Sequence, residues 1–456
     1  MSYPQSMAPA FPIIMPPDDT LISILESVTF VWLLAWAIQG TRRLLSRRRD
    51  SIWFLVITHF VFCGVPLLLD QVVGPPDFHL WPGFDIAAAD PQTAVVYCLY
   101  VAACPLIWWL LGRTRVRTSP SQNSLSTTFL QRLSWPGKTA LHFLLLAPVA
   151  ALYFAPDPTI YAQYAAVMRA PFTPDELSYH QILTTAILIG TMAQAVLLLS
   201  QRNLRATCCY VLPLAFCGVW LDGKRAVVLI VCVTLTIALW SRGVLRGRTL
   251  IAFAAAVSIA FCAFSAVYQL QIRGFDSVPT ESRYDNFRLD YGRDHIIRAS
   301  LFAELHPEDA RILEYRMQSV LFDATMLVPR SIWPDKPWPY AVYATAAAFR
   351  IPPQYLGWGV TTTWLAEAIS NFSWLGLLIG PLIPAWACRI GDATGDSMAK
   401  LLTILVGSLF LTVQLPAFVL LAAAWLMTIA MSWRSRKTAA LRCLAFSAFP
   451  DRSQFV

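Results

Sequence analysis

From Leu401 to Trp433 the chain runs for more than thirty residues without one charged side chain. About 20 such residues cross the hydrocarbon core of a bilayer, and inside lipid only helices or closed barrels satisfy every backbone polar group. Apolar blocks of similar character recur along the 456 residues, which are 57% hydrophobic and 14% charged, where a soluble domain carries about 25% charge. A soluble Rossmann or TIM-barrel enzyme is excluded by the blocks, and a disordered chain by 26 Phe, 15 Tyr and 17 Trp at so low a charge. The reading is an all-α polytopic membrane protein.

The apolar blocks at 21–39, 51–69, 93–111, 139–154, 181–200, 207–221, 226–240, 250–268 and 374–388 each read as one span. The 401–433 block is interrupted at Gln414-Leu415-Pro416 and reads as two spans joined by a hairpin, eleven in all. The first twenty residues hold no Lys or Arg and so lack the basic leader of a cleavable signal peptide. With the N-terminus outside and the C-terminus inside, 22 of the 35 Lys and Arg fall on inner segments, including the run at Arg42, Arg43, Arg47, Arg48 and Arg49. The short outer loops hold Arg169, Lys224 and Arg225; the other ten lie in one outer loop too long for the positive-inside rule to govern. The basic excess thus reports orientation rather than a nucleic-acid partner. Residues 1–268 form an N-terminal membrane part of about eight spans. Residues 269–372 form the outer loop, and 373–456 a C-terminal membrane part of about three spans with a basic inner tail. The ten cysteines lie in or beside apolar blocks with no CxxC pair, so they read as small apolar residues rather than as disulfides or metal ligands.

Within the outer loop, Pro307-Glu308-Asp309 looks like a helix start. Leu313, Met317, Val320, Leu321, Ala324 and Leu327 follow at helical steps, which predicts an amphipathic helix of about twenty residues ending before Pro329. A second helix is expected over 293–305, and both should lie at the outer face as a cap over a cavity. Arg283, Arg288, Arg293 and Arg298 recur every five residues and, with Asp285, Asp290 and Asp294 among them, line no single helical face. A solvated mixed-charge surface is expected there.

Three constellations hold residue types that do chemistry, all on the outer side. Asp222-Gly223-Lys224-Arg225 sits between two short spans. Sunk below the membrane surface, its Lys224–Arg225 pair would grip a phosphate, the Arg bidentately; otherwise it is an ordinary turn with snorkelling side chains. The segment 328–339 packs four prolines with Trp333 and Trp338 into twelve residues, beside Arg330 and Lys336. It is either a stiff sugar-binding path with anion contacts or a belt of interfacial tryptophans. In the third, around Gly357-Trp358-Gly359, Glu367 and Asn371 stand four apart and share one helical face at the outer end of the next span. Glu367 is either paired with Arg225 or Arg273, which is structural, or has a raised pKa, which would suit a general base for a sugar hydroxyl.

The run P-R-S-I-W-P-D-K-P at 329–337, followed by G-W-G-V-T-T-T-W-L-A-E-A-I-S-N-F-S-W-L-G at 357–376, resembles the bacterial O-antigen or oligosaccharide repeat-unit polymerases of the Wzy type. The G-K-R-A turn at 223–226 is similar to theirs as well. Ser373 departs from the family, which usually has glycine after Asn-Phe, and this bears on the local helix packing. The resemblance implies an all-helical GT-C-like glycosyltransferase in the bacterial inner membrane, its active site facing the periplasm and using no metal or cofactor. It implies that a growing glycan on undecaprenyl diphosphate moves, with inversion, onto the non-reducing sugar of an incoming lipid-linked unit. A separate chain-length-determining co-polymerase is the further partner it implies. By the match, Arg225 and Arg273 bind the diphosphate, whose departure fixed cations assist. Lys224, Arg330, Trp333, Lys336, Trp338 and Asn371 contact substrate, and Glu367, then His295 or His306, is the base. His306 alternatively caps the helix at Pro307, and His295 is alternatively a surface residue. An O-antigen ligase shares the donor chemistry. A polysaccharide or lipid transporter would need ionisable residues through mid-membrane, and the main polar ones within or at the edge of the spans are Glu26, His59, His142 and Gln194.

Overall fold

A computed structural model of the chain describes residues 19–46, 50–113, 135–165, 174–200, 203–223, 225–272, 280–326, 328, 330, 332–356 and 358–447. Every regular element among them is a helix. In chain order these are α1 (Asp19–Leu45), α2 (Ile52–His59), α3 (Val65–Val72), α4 (Pro82–Ala89), α5 (Pro91–Leu111), α6 (Trp135–Leu145), α7 (Ala147–Tyr153), α8 (Pro174–Ser200), α9 (Leu204–Asp222), α10 (Arg225–Ser241) and α11 (Arg248–Ile272). The outer loop contributes α12 (Thr280–Tyr291), α13 (Asp294–Leu305), α14 (Gln318–Ala324) and α15 (Tyr340–Phe349). The chain closes with α16 (Trp364–Phe372), α17 (Gly376–Ala393), α18 (Ser397–Thr412) and α19 (Val419–Ser447).

Each of the eleven apolar blocks is helical. Among the described residues, seven helical runs are long and apolar enough to cross a membrane: Thr20–Leu45, Ile52–Val72, Pro91–Leu111, Ile182–Ser200, Leu204–Asp222, Trp364–Ala393 and Leu415–Arg434. Val227–Ser241, Arg248–Phe261 and Met398–Thr412 are shorter apolar helices. The block at 139–154 is broken at Leu146 into α6 and α7, where Pro148 opens the second piece. The hairpin at Gln414-Leu415-Pro416 is a short 3-10 turn between α18 and α19. The protein is an all-helical, membrane-embedded polytopic chain.

Two layers of packing meet along α17 and α18. In one, α1, α2, α3, α5 and α17 pack together, and the outer-loop helix α13 packs against α4, α5 and α16. In the other, α8 is the hub for α6, α7, α9 and α10, and α19 closes against it.

Proline shapes the first layer. Pro66 removes the N–H that would bond Phe62 O, and the chain widens into a π-turn at Phe60–Gly64 just before it. The freed carbonyls dock the outer loop: Val61 O accepts from Tyr291 Oη at 2.6 Å and Phe62 O from the Arg293 N–H at 3.1 Å. Pro105 inside α5 likewise orphans Val101 O, and His59 Nε2 donates to it at 2.9 Å, which fixes the ring's tautomer. His59, at mid-span, therefore repairs a proline break.

The outer loop departs from expectation in three ways. The helix over 293–305 forms as α13, but every residue from Asp294 to Ala303 is buried, so it is a core element and not a surface cap. The long helix over 307–328 does not form. After one turn at His306, burial of Ile312 and Leu313 and the grip of Arg316 on Glu304 and on Ser370 O (2.8 Å) pull the chain into tertiary contacts. Met317 takes a left-handed φ of 65°, and only α14 remains helical. Local amphipathic period is overruled by packing, as weak propensities usually are.

The third departure is in the arginine series, of which only Arg283 is exposed as expected. Arg288, Arg293 and Arg298 are buried. Arg288 bonds Asp70 (2.6 Å) and Asp294 (3.0 Å). Arg298 bonds Glu26 at 2.7 Å and lies over the Tyr97 ring. Arg293 Nε bonds Thr412 O at 3.0 Å. The five-residue spacing misleads because the break between α12 and α13 at Gly292-Arg293 resets the helical phase. These pairs fasten the outer loop to α1, α3 and α18.

Candidate functional site

A buried polar cluster is built by α14 and α16. Thr363 caps α16, its Oγ1 accepting from the Ala366 N–H at 3.2 Å. One turn inside stands Glu367, 1% exposed, and one turn further Asn371, 2% exposed. From α14, Ser319 Oγ donates to Glu367 Oε1 at 2.7 Å and accepts from Asn371 Nδ2 at 2.8 Å. Asn371 Nδ2 also donates to Glu367 O at 2.8 Å. This leaves two buried acceptors without a donor, Glu367 Oε2 and Asn371 Oδ1. Buried acceptors left unpaired are costly, and here two from adjacent turns converge.

Asp323 stands one turn beyond Ser319 on α14 and is close enough for its charge to act on Glu367. It is half-buried, and burial pushes its carboxyl up from the ordinary range to about 7. Among the described residues no cation pairs with it. Neither Ser319 nor Asp323 stands out in the sequence, because 307–328 reads there as one continuous surface helix. On such a helix both fall off the stripe of Leu313, Met317, Val320, Leu321 and Ala324, where polar residues are expected, so the linear pattern carries no signal for them.

The surrounding frame is held by hydroxyls and one clamped arginine. Tyr340 Oη bridges Ser300 Oγ (2.8 Å) and Ser370 Oγ (2.9 Å), tying α13, α15 and α16 together. Ser373 Oγ donates to Glu304 Oε2 at 2.7 Å while Arg316 holds the same carboxylate. The Gly357-Trp358-Gly359 motif owes its second glycine to close approach: a Cβ at Gly359 would lie 2.6 Å from the backbone of Ala341 in α15.

The proline-rich segment sits beside α14. Arg330 stacks over the Trp338 ring at 3.6 Å and donates to Lys336 O (2.7 Å), Pro337 O (2.9 Å) and Pro334 O (3.2 Å). Lys336 Nζ donates to Met326 O and Val328 O, both at 3.0 Å, and lies over Phe322. Burial, with the Arg330 charge beside it, lowers the lysine from its ordinary range. Arg330, Lys336 and Trp338 therefore form one clasp that closes the loop on itself next to α14, with Trp333 half-buried in its turn. This is a third role for the motif beside the sugar path and the interfacial belt: its cations hold the backbone that follows α14.

His295 is placed elsewhere. It is buried, not on the surface, with its ring against Phe78 and Phe84 and both ring nitrogens without a partner. Burial outweighs the pull of Asp294 and lowers it to about 4, so it is neutral at pH 7. His306 ends α13, with Nε2 3.3 Å from Asp90. At the Asp222–Arg225 turn, Gly223 ends α9 in a left-handed conformation (φ 65°), where a Cβ would strike Ala165. Arg225 begins α10; its side chain, Lys224 and Arg273 lie outside the described residues. Among the described residues no cluster of three or more His, Cys, Asp or Glu side chains is placed to hold a metal ion. Compared with protein-family models, with curated proteins and with solved structures, the chain matches none.

Proposed function

We propose that this protein is a glycosyltransferase of the outer face of the bacterial inner membrane, which polymerises undecaprenyl-diphosphate-linked oligosaccharide repeat units. In this reading the eleven apolar helices all cross, with the N-terminus out and the C-terminus in, in a GT-C-like arrangement. The observation that carries the chemistry is the Glu367–Ser319–Asn371 cluster, with Glu367 Oε2 and Asn371 Oδ1 buried and lacking donors. A sugar hydroxyl supplies the missing donor.

Ser319 orients the carboxylate and Asn371 receives a second hydroxyl of the same ring. The acceptor oxygen attacks the anomeric carbon of the donor from the face opposite the diphosphate. The new C–O bond forms as the anomeric C–O bond to phosphate breaks, its electron pair leaves on the diphosphate, and the hydroxyl proton passes to Glu367. Arg225 and Arg273, by their match to the family, stabilise the departing charge.

The test is a deletion strain complemented with wild type, Arg225→Ala or Glu367→Gln, its surface glycan resolved on a gel. The expected result is a ladder collapsed to core plus one unit, restored by wild type alone. Loss of all units from the core, with long polymer still on the lipid carrier, would establish a ligase. An unchanged ladder on deletion removes the polymerase reading for that glycan and favours transport.

A further inference from the structure

A second carboxylate, Asp323, stands one turn from the serine that bonds Glu367, and only one of the two is needed to accept a proton. We propose that Asp323 is the proton-sharing partner of Glu367: the two hold one proton between them, Glu367 taking the acceptor's proton and Asp323 returning it to water. The inference rests on the polymerase reading for its chemistry, but the sharing itself is a property of the folded protein.

The geometry is a pair of interlocked i, i+4 steps. Ser319 and Asp323 lie on one face of α14, Glu367 and Asn371 on one face of α16, and Ser319 Oγ bonds both members of the second pair. That apposition turns Asp323 toward the same side as Glu367, whose Oε2 has no donor. The charged groups on the elements around them are already engaged. Arg316 is held by Glu304 and Ser370 O, Arg330 by three loop carbonyls, and Lys336 by Met326 O and Val328 O. Among the described residues no cation pairs with either carboxylate, so a second negative charge beside the buried Glu367 is costly and one proton is retained.

The asymmetry of exposure gives the pair a direction. Glu367 is sealed while Asp323 keeps contact with solvent. When the acceptor O–H breaks, the proton goes to the ionised member of the pair, and one proton then leaves through Asp323. The buried base is thereby reset for the next unit without opening the site.

The experiment is infrared titration of the purified full chain in lipid nanodiscs, beside Asp323→Asn and Glu367→Gln. Wild type should show the C=O stretch of a protonated carboxylic acid near neutral pH, lost on raising the pH and assigned to Asp323 by its loss in Asp323→Asn. Glu367→Gln should move that titration down by about 1 pH unit or more, the signature of interacting sites. In cells, Asp323→Asn should shorten the glycan ladder and alter its dependence on external pH, and Asp323→Glu should restore part of both. A wild-type spectrum with no such band, or a titration that Glu367→Gln leaves in place, overturns the proposal. So does an Asp323→Asn strain with a wild-type ladder and pH dependence. The infrared result does not depend on glycan synthesis, so it separates failure of the pair from failure of the polymerase reading, which the deletion phenotype decides.

Discussion

Ser373 shows how much a single backbone angle can say. It ends α16 with φ 55° and ψ −141°, a region essentially reserved for glycine, where other residues cost about 1–3 kcal/mol. The sequence flags this position only through the resemblance, as a serine where glycine is usual; the structure adds what the serine does, which is to bond Glu304. Ser373→Ala keeps the strain and loses that bond, whereas Ser373→Gly loses the bond but releases the strain. Thermal unfolding in detergent should therefore rank Gly above Ala at this position by about 1 kcal/mol or more, opposite to the usual preference; Ala at or above Gly would show that the backbone is unstrained. His295 gives a second residue-scale test. Its pKa falls to about 4 from an ordinary 6.5 because it is buried, so between those values the unfolded chain binds a proton that the folded chain does not. Stability must then fall as pH drops through that window. His295→Leu should flatten the acid limb of the melting curve and leave the glycan ladder intact, since the ring faces Phe78 and Phe84 and not the Glu367 cluster. A collapsed ladder with unchanged melting would instead return His295 to the chemistry.

At the scale of elements, what the sequence displays well is apolar length, and what it conceals is which polar group answers which break. Glu367 and Asn371 were legible as a pair because both lie on one helix, four apart. Ser319 was not, since nothing in a linear pattern puts position 319 opposite 367. Nor does periodicity reveal that α13 is buried all round, because its Asp294, His295 and Arg298 read as surface residues until Arg288 and Glu26 are seen to neutralise two of them. His59 is the sharpest case: an imidazole in an apolar span looks like a transport residue, yet it answers the carbonyl that Pro105 orphans. His59→Leu should destabilise by about 1–3 kcal/mol, the cost of a buried acceptor left bare. In a Pro105→Ala background the restored N–H can bond Val101 O itself, so the same substitution should cost about 1 kcal/mol less. Equal costs in the two backgrounds would mean that His59 is held by its edge contact with Trp108 and not by the carbonyl.

For the whole molecule, the parity of crossings decides which compartment the Glu367 cluster meets. Seven runs qualify by length and composition, and the additional apolar helices are shorter. Short spans are no bar when they sit against neighbours, because mismatch is relieved by local thinning or snorkelling at modest cost, and α18 is packed between α2, α17 and α19. The charge distribution argues independently: the basic segments alternate with the apolar helices only if α18 and α19 cross separately, which keeps Arg434 on the same side as Lys400 and the run at Arg42. Ile332 and Tyr355, each 75% exposed, report on the 269–372 loop, and Arg434 on the side that the charge pattern assigns to the tail. In a cysteine-free background, Ile332→Cys and Tyr355→Cys should react with a membrane-impermeant maleimide added to cells with a permeabilised outer membrane. Arg434→Cys should react only after the inner membrane is opened. Labelling of Arg434→Cys from outside would merge α18 and α19 into a single crossing. It would shift the parity by one and place the tail beside the carboxylates; protection of Ile332→Cys would invert the molecule and turn Glu367 and Asp323 toward the cytoplasm, which the proposed function does not allow.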